Sequence, residues 1–259
     1  MSIELLRPLI ADPRAAGVFL DFDGTLSHIV TVASDARPLS GVVETLAELH
    51  ERYGLVSIVS GRSAHQLLDW LGPKIEIWGV HGAETTYEGK VVLAPRAEQH
   101  WQLMRRVYDE ARDRISTLDL PGVLIEDKGV MVGLHFRAAS DVERARHILD
   151  GVAADLATKH GLLRAGGRLA FELRPPEPFS KSDVILTRSR ALGLRAVMFI
   201  GDDRVDLPGF DALDELARSG VATVRVAVSS DEVPEDLVAR ADVVVEGPEG
   251  CLDLLRQLL

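Results

Sequence analysis

Gly17-Val18-Phe19-Leu20-Asp21-Phe22-Asp23-Gly24-Thr25-Leu26 is an apolar run that delivers two carboxylates, two residues apart, into a glycine turn. A buried parallel strand has no reason to end on two acids unless that end faces something cationic. Asp-Gly is also a strong type I′ turn signal, so a hairpin stands beside this reading until other strand ends decide.

Outward from that stretch, strands and helices alternate. Residues 1–16 form a short amphipathic lead-in broken by Pro8 and Pro13, and Ser27 to Pro38 reads as a loop. Ser40 to Tyr53 places Val42, Val43, Leu46, Ala47 and Leu49 at helical spacing, with Gly54 suited to a C′ cap. Leu55 to Val59 is a second strand ending in Ser60-Gly61-Arg62, Ala64 to Leu71 a short helix, and Ile75 to Val80 a strand running into His81-Gly82. This rhythm predicts an α/β fold with a doubly wound, Rossmann-like parallel sheet.

The rhythm changes over residues 98–176. A long helix over Glu98 to Leu118, strands over Gly122 to Asp127 and Val130 to Arg137, a helix over Asp141 to His160, and a strand pair around Gly166-Gly167 predict an inserted α+β module of about eighty residues. Residues 1–97 and 177–259 then form the core. The core pattern resumes with a helix over Ser182 to Leu192, a strand over Ala196 to Ile200 ending in Gly201-Asp202-Asp203, and two further strands and a terminal helix.

Composition narrows the function. A net charge of −11 disfavours a nucleic-acid partner, which needs clustered Lys and Arg. No apolar stretch is long enough for a bilayer, and the N-terminal residues lack the pattern of a signal peptide. The single Cys251 excludes an internal disulfide framework. A cytoplasmic protein is the expectation. His28, His65, His100, His147 and His160 lack metal-ligand spacing, and neither a dinucleotide-binding glycine loop nor a P-loop is present.

Doubly wound sheets bind ligands at the carboxyl ends of their strands. Those ends carry Asp21 and Asp23, Ser60, His81, and Asp202, Asp203 and Asp206, with Lys181 at a helix start. Converging carboxylates do not all stay ionised without a cation, and oxygen-only ligation suits Mg²⁺. A carboxylate nucleophile, a second carboxylate, a metal and a cationic cradle specify phosphoryl transfer.

At these residues the chain resembles the haloacid dehalogenase superfamily of phosphatases, with four motifs at Asp21-Phe22-Asp23-Gly24-Thr25, Ser60, Lys181 and Gly201-Asp202-Asp203 with Asp206. The resemblance implies Asp21 as nucleophile, Asp23 as general acid and then base, and Ser60 and Lys181 as phosphoryl holders. It places Mg²⁺ at Asp21, Asp202 and the backbone carbonyl of Asp23, with Asp203 and Asp206 orienting the site from its edge. A narrower likeness to the trehalose-6-phosphate phosphatase family rests on Ile58-Val59-Ser60-Gly61-Arg62, Gly79-Val80-His81-Gly82-Ala83-Glu84, Ile125-Glu126-Asp127-Lys128-Gly129, His135-Phe136-Arg137 and Phe171-Glu172-Leu173-Arg174-Pro175. It implies that the inserted module is a lid hinged near residues 86–98 and 175–179, and that Glu126, Lys128, Arg137 and Glu172 read sugar hydroxyls. Thr25, Gly61, Arg62, His81 and Gly82 join them as substrate contacts by the same likeness, and association with a trehalose-phosphate synthase is implied. The chain departs from the family at Ser182, Val205 and Leu207, where Gly, Thr and Glu are common. Another sugar phosphate as substrate, and an idle sugar-phosphate sensor, are the alternative readings.

Overall fold

The computed structural model describes residues 3–259 except 31, 33, 34, 167, 168, 177, 178, 231 and 232. The expected turn at Gly167 and the hinge residue Pro178 therefore lie outside the described residues. The chain divides into two compact units, Met1–Val92 with Phe179–Leu259, and Leu93–Pro178.

The first unit contains α1 (Ile3–Ala11), β1 (Ala16–Leu20), α2 (Val42–Arg52), β2 (Leu55–Val59), α3 (Ala64–Leu71), β3 (Glu76–Gly79), β4 (Glu84–Tyr87) and β5 (Lys90–Leu93). The second contains α4 (Pro95–Ser116), β6 (Leu124–Asp127), β7 (Val132–His135), α5 (Val142–His160), β8 (Leu163–Gly166) and β9 (Ala170–Arg174). The first then resumes with α6 (Lys181–Ala191), β10 (Ala196–Gly201), α7 (Leu207–Arg218), β11 (Ala222–Ser229), α8 (Glu235–Arg240), β12 (Val243–Glu246) and α9 (Gly247–Arg256).

Sheet order in the first unit is β12-β11-β10-β1-β2-β3-β4-β5, parallel from β12 to β3 and antiparallel at β4. The hairpin reading of the Asp-Gly turn is thereby excluded, because β1 pairs in parallel with both neighbours. The period-two alternation of β1 and β10 sorts side chains into two cores. Val18, Leu20, Met198 and Ile200 pack with Leu46 of α2, Leu67 of α3 and Leu252 of α9, while Phe19, Val197 and Phe199 pack with Ile185 of α6 and Phe210 of α7. Helices on both faces explain why β1, β2 and β10 are buried at every position.

Several local expectations shift. Pro8 sits inside α1 rather than ending the lead-in, because Leu6 and Leu9 are wholly buried and hold that helix against the sheet. Gly54 is not a left-handed cap; a Cβ there would stand 2.2 Å from the carbonyl oxygen of Arg14, so glycine is needed for close backbone approach. The β4–β5 pair and the short helix α8 escaped the sequence reading. Helix α4 begins at Pro95 rather than Glu98.

In the second unit, β6-β7-β9-β8 form an antiparallel sheet. Its own core gathers Met104, Val107, Leu134, Leu149 and Leu156 from α4, β7 and α5, with Phe136 just after β7. Asp141 caps α5 by accepting from the Arg144 amide at 2.9 Å, as its position before the helix predicts.

Candidate active site

Strand order reverses between β1 and β10: the chain runs from β1 to β2 and β3 on one side, then returns to β10, β11 and β12 on the other. Such a switch point opens a crevice at the carboxyl ends of the strands. Asp21 follows β1 there, its amide donating to the Ile200 carbonyl at 2.9 Å, and Asp202 follows β10. Lys181 enters as the first residue of α6, whose start is capped by Ser180 accepting from the Asp183 amide.

These groups form one buried cluster. Lys181 Nζ lies 2.8 Å from Asp21 Oδ1 and 2.5 Å from Asp206 Oδ1. Asp206 Oδ2 accepts from the amides of Asp202 at 2.9 Å and Asp203 at 3.1 Å. Burial pushes the Asp21 carboxyl up to about 7 against the pull of Lys181. Burial, then the charges of Asp21 and Asp206, push Asp202 up to about 8. Burial opposes the charge on Lys181, but Asp206 and Asp21 together overcome it, so its pKa is raised.

Oxygens of Asp21, Asp202 and Asp206 lie within 4.8 Å of one another, a group able to hold a metal ion. With both Asp206 oxygens already engaged by Lys181 and two amides, Asp21 and Asp202 offer the donors and Asp206 braces them. Oxygen-only donors fit a hard divalent cation. Gly24 is required beside them: φ is +70°, and a Cβ would fall 2.0 Å from Asp202 Oδ2. Thr25 Oγ1 donates to Asp202 Oδ1 at 3.5 Å, which joins it to the same cluster.

The side chains of Asp203 and Asp23 have partners of their own beside that cluster. The Asp203 side chain caps the turn Arg204–Asp206, accepting from the Arg204 amide at 2.6 Å, because an acid there satisfies an orphan donor. The Asp23 carboxylate is held by the fork of Arg62, at 2.7 Å from Nε and 2.6 Å from Nη2. Ser60, buried at the end of β2, accepts from the Arg62 amide at 3.3 Å. His81 packs its ring over Gly61, where a Cβ would stand 2.9 Å from His81 Cε1. Val80 and His81 both adopt positive φ, at 48° and 57°, with Gly82 at 112°; for a β-branched residue this is strained backbone. The turn is pinned by Val80 N donating to the Arg62 carbonyl and His81 N to the Ser60 carbonyl, both at 2.8 Å.

In the second unit, Lys128 Nζ lies 3.2 Å from Glu172 and 3.7 Å from Glu126, whose other neighbour is His135 at 2.8 Å. The hydrogen bond from His135, opposed by burial and helped by Lys128, holds Glu126 below its usual range. Gly133 pairs across the sheet with both Glu126 and Glu172, which puts the three acids and bases on one face. Arg137 is exposed beyond β7 and takes no part in this cluster. His135 stands two residues after Gly133 and so lies on the same face as Glu126 and Glu172.

The geometry defines a buried carboxylate–lysine site suited to a hard cation and an anionic substrate. A family profile for trehalose-phosphatase matches residues 19–243, and the chain belongs to the trehalose-phosphatase family. It is 33% identical over 223 residues to a trehalose-phosphate phosphatase of Mycobacterium leprae (strain TN), covering 82% of this chain and 51% of that protein. It is 30% identical over 249 residues to an α,α-trehalose-phosphate synthase (UDP-forming) B of Dictyostelium discoideum, covering 93% of this chain and 30% of that one. The chain thus spans about half the length of the mycobacterial relative. Among solved structures, a trehalose-6-phosphate phosphatase related protein superposes with a TM-score of 0.75 at 24% identity, over 93% of this chain and 96% of that one, a likeness of fold. Among the described residues, no helix is long and apolar enough to cross a membrane.

Proposed function

We propose that this chain is a phosphatase that hydrolyses trehalose 6-phosphate with Mg²⁺ through an aspartyl-phosphate on Asp21. The observation that carries the reading is the buried cluster in which three carboxyl groups, Asp21, Asp202 and Asp206, face a single cation, Lys181. Mg²⁺, held by Asp21 and Asp202, would supply electrostatic stabilisation of the phosphoryl oxygens.

Asp21 Oδ attacks phosphorus while the bond from phosphorus to the sugar oxygen breaks, and protonated Asp23 gives its proton to that oxygen. The Asp23 carboxylate then takes a proton from water, whose oxygen attacks the aspartyl phosphorus and frees Asp21 and phosphate. Proton transfer of this kind contributes roughly 10²–10⁴-fold in rate. Lys181 holds the phosphoryl group and keeps Asp21 oriented. The charged face of Glu126, Lys128 and Glu172 serves the sugar, because ionised groups bond hydroxyls more strongly than neutral ones. By analogy with the Dictyostelium relative, a trehalose-phosphate synthase is the partner class to examine.

A panel of sugar phosphates in Mg²⁺ tests the substrate, with trehalose 6-phosphate expected to give the highest kcat/KM. Asp21→Asn should lower turnover by more than about 10³-fold, since an amide cannot form the acyl phosphate. A flat panel would redirect the reading to another sugar phosphate, and full turnover by Asp21→Asn would end the mechanism.

A further inference from the structure

The likeness to relatives suggests Arg62 as a substrate contact, yet its surroundings are those of a group built to hold another side chain. Its Nε and Nη2 grip the two oxygens of Asp23, and its Nη1 donates to Gln66 Oε1 at 3.1 Å. The guanidinium lies 5.7 Å from the centre of the Phe22 ring and 5.1 Å from that of Trp70, and those rings stack on each other at 5.3 Å. Phe22 comes from between the two acids and Trp70 from the helix after the Ser60 segment, so the shelf joins both motifs. Exposure divides the pair: the Arg62 side chain is 10% exposed, the Asp23 side chain 38%. The cation is thus the buried scaffold and the carboxylate the open, working end.

We propose that Arg62, seated on the Phe22–Trp70 shelf, is a positioning residue for the Asp23 carboxylate. The inference rests on the reading of Asp23 as the proton carrier. Its physical need is plain. Asp23 stands two residues from Asp21, and a cation at the Asp21–Asp202 cluster attracts any loose carboxylate within reach. A planar fork engages one lone pair on each Asp23 oxygen, which fixes the rotamer, keeps the carboxylate off the cation and leaves the other lone pairs open to the transferred proton. Stacking on two rings fixes the fork in turn.

The test is a double-mutant cycle in saturating Mg²⁺, read as kcat and KM on trehalose 6-phosphate. Arg62→Gln should lower kcat roughly 10–100-fold with KM within about threefold, a share of the general acid–base contribution. Combined with Asp23→Asn, it should cost less than about threefold more, because nothing remains to position. Arg62→Lys, which keeps the charge but not the fork, should recover only part of the loss. Trp70→Leu, which leaves both Arg62 and Asp23 in the chain, should give a smaller kcat loss that vanishes in the Arg62→Gln background. Independently of turnover, the Arg62 Nε–H should give a slowly exchanging NMR signal that Asp23→Asn abolishes. A rise in KM at unchanged kcat would make Arg62 a substrate contact, and fully multiplicative losses in the double variant would equally overturn the proposal. If Asp23→Asn alone keeps full turnover, the proton role fails and the positioning role with it; inactive Asp23→Asn with multiplicative Arg62 losses sinks only the inference drawn here.

Discussion

Lys181 is 1% exposed at its side chain and bridges Asp21 and Asp206, so its charge is matched on both sides inside the protein. Removing it leaves two buried acids facing each other. Lys181→Met should therefore destabilise the fold by about 3–5 kcal/mol, the usual consequence of orphaning a buried charge, besides lowering turnover. Urea unfolding measures it, and a change under about 1 kcal/mol would show that the carboxyls simply protonate without strain. At this scale the sequence was most legible where chain position alone carries information. Asp21, Ser60, Lys181 and Asp202 could be placed because each follows a strand or starts a helix. The Asp23–Arg62 pair could not, since its partners are 39 residues apart and meet only through rotamers set by Phe22 and Trp70.

Among the elements, α4 and α5 of the second unit are tied at Glu110. Its carboxylate accepts from Lys159 at 2.9 and 3.0 Å, from His160 at 2.9 Å and from Arg114 at 2.5 Å. The Lys159 bond first, then that of His160, lower its pKa from 4.5 to about 2. A depressed folded-state value means that the contribution is complete above about pH 4.5 and is lost as pH falls through about 2. The wild type should lose stability over that window more steeply than Glu110→Gln, as acid-titration melts followed by circular dichroism would show. Parallel curves would mean that the tie contributes nothing. Element identity followed hydrophobic period and capping residues, which is why α5 was legible to its Asp141 cap. The β4–β5 pair is not legible because Glu84-Thr85-Thr86-Tyr87 and Lys90-Val91-Val92-Leu93 lack apolar–polar alternation in sequence, and α8 because six residues hold too few turns for a period.

For the whole molecule, each unit owns hydrophobic core, and that of the second draws on residues of its own, chiefly from α4, α5, β7 and β9. A polypeptide of residues 93–178 should accordingly fold by itself with a cooperative urea transition. A gradual, non-cooperative loss of ellipticity would show that its core needs the rest of the chain. By itself the sequence determined the α/β alternation, the interruption and the acids placed at the strand ends, because those follow from period, turn residues and the clustering of acids after apolar runs. Only the tertiary structure decided which acids share a cluster and which are held apart. Strand order at the β10–β1 switch point brings Asp21 beside Asp202 across 181 positions of chain, and an aromatic shelf seats the Arg62 fork against Asp23. Contacts of that kind depend on side-chain packing between distant segments, and no local pattern encodes them.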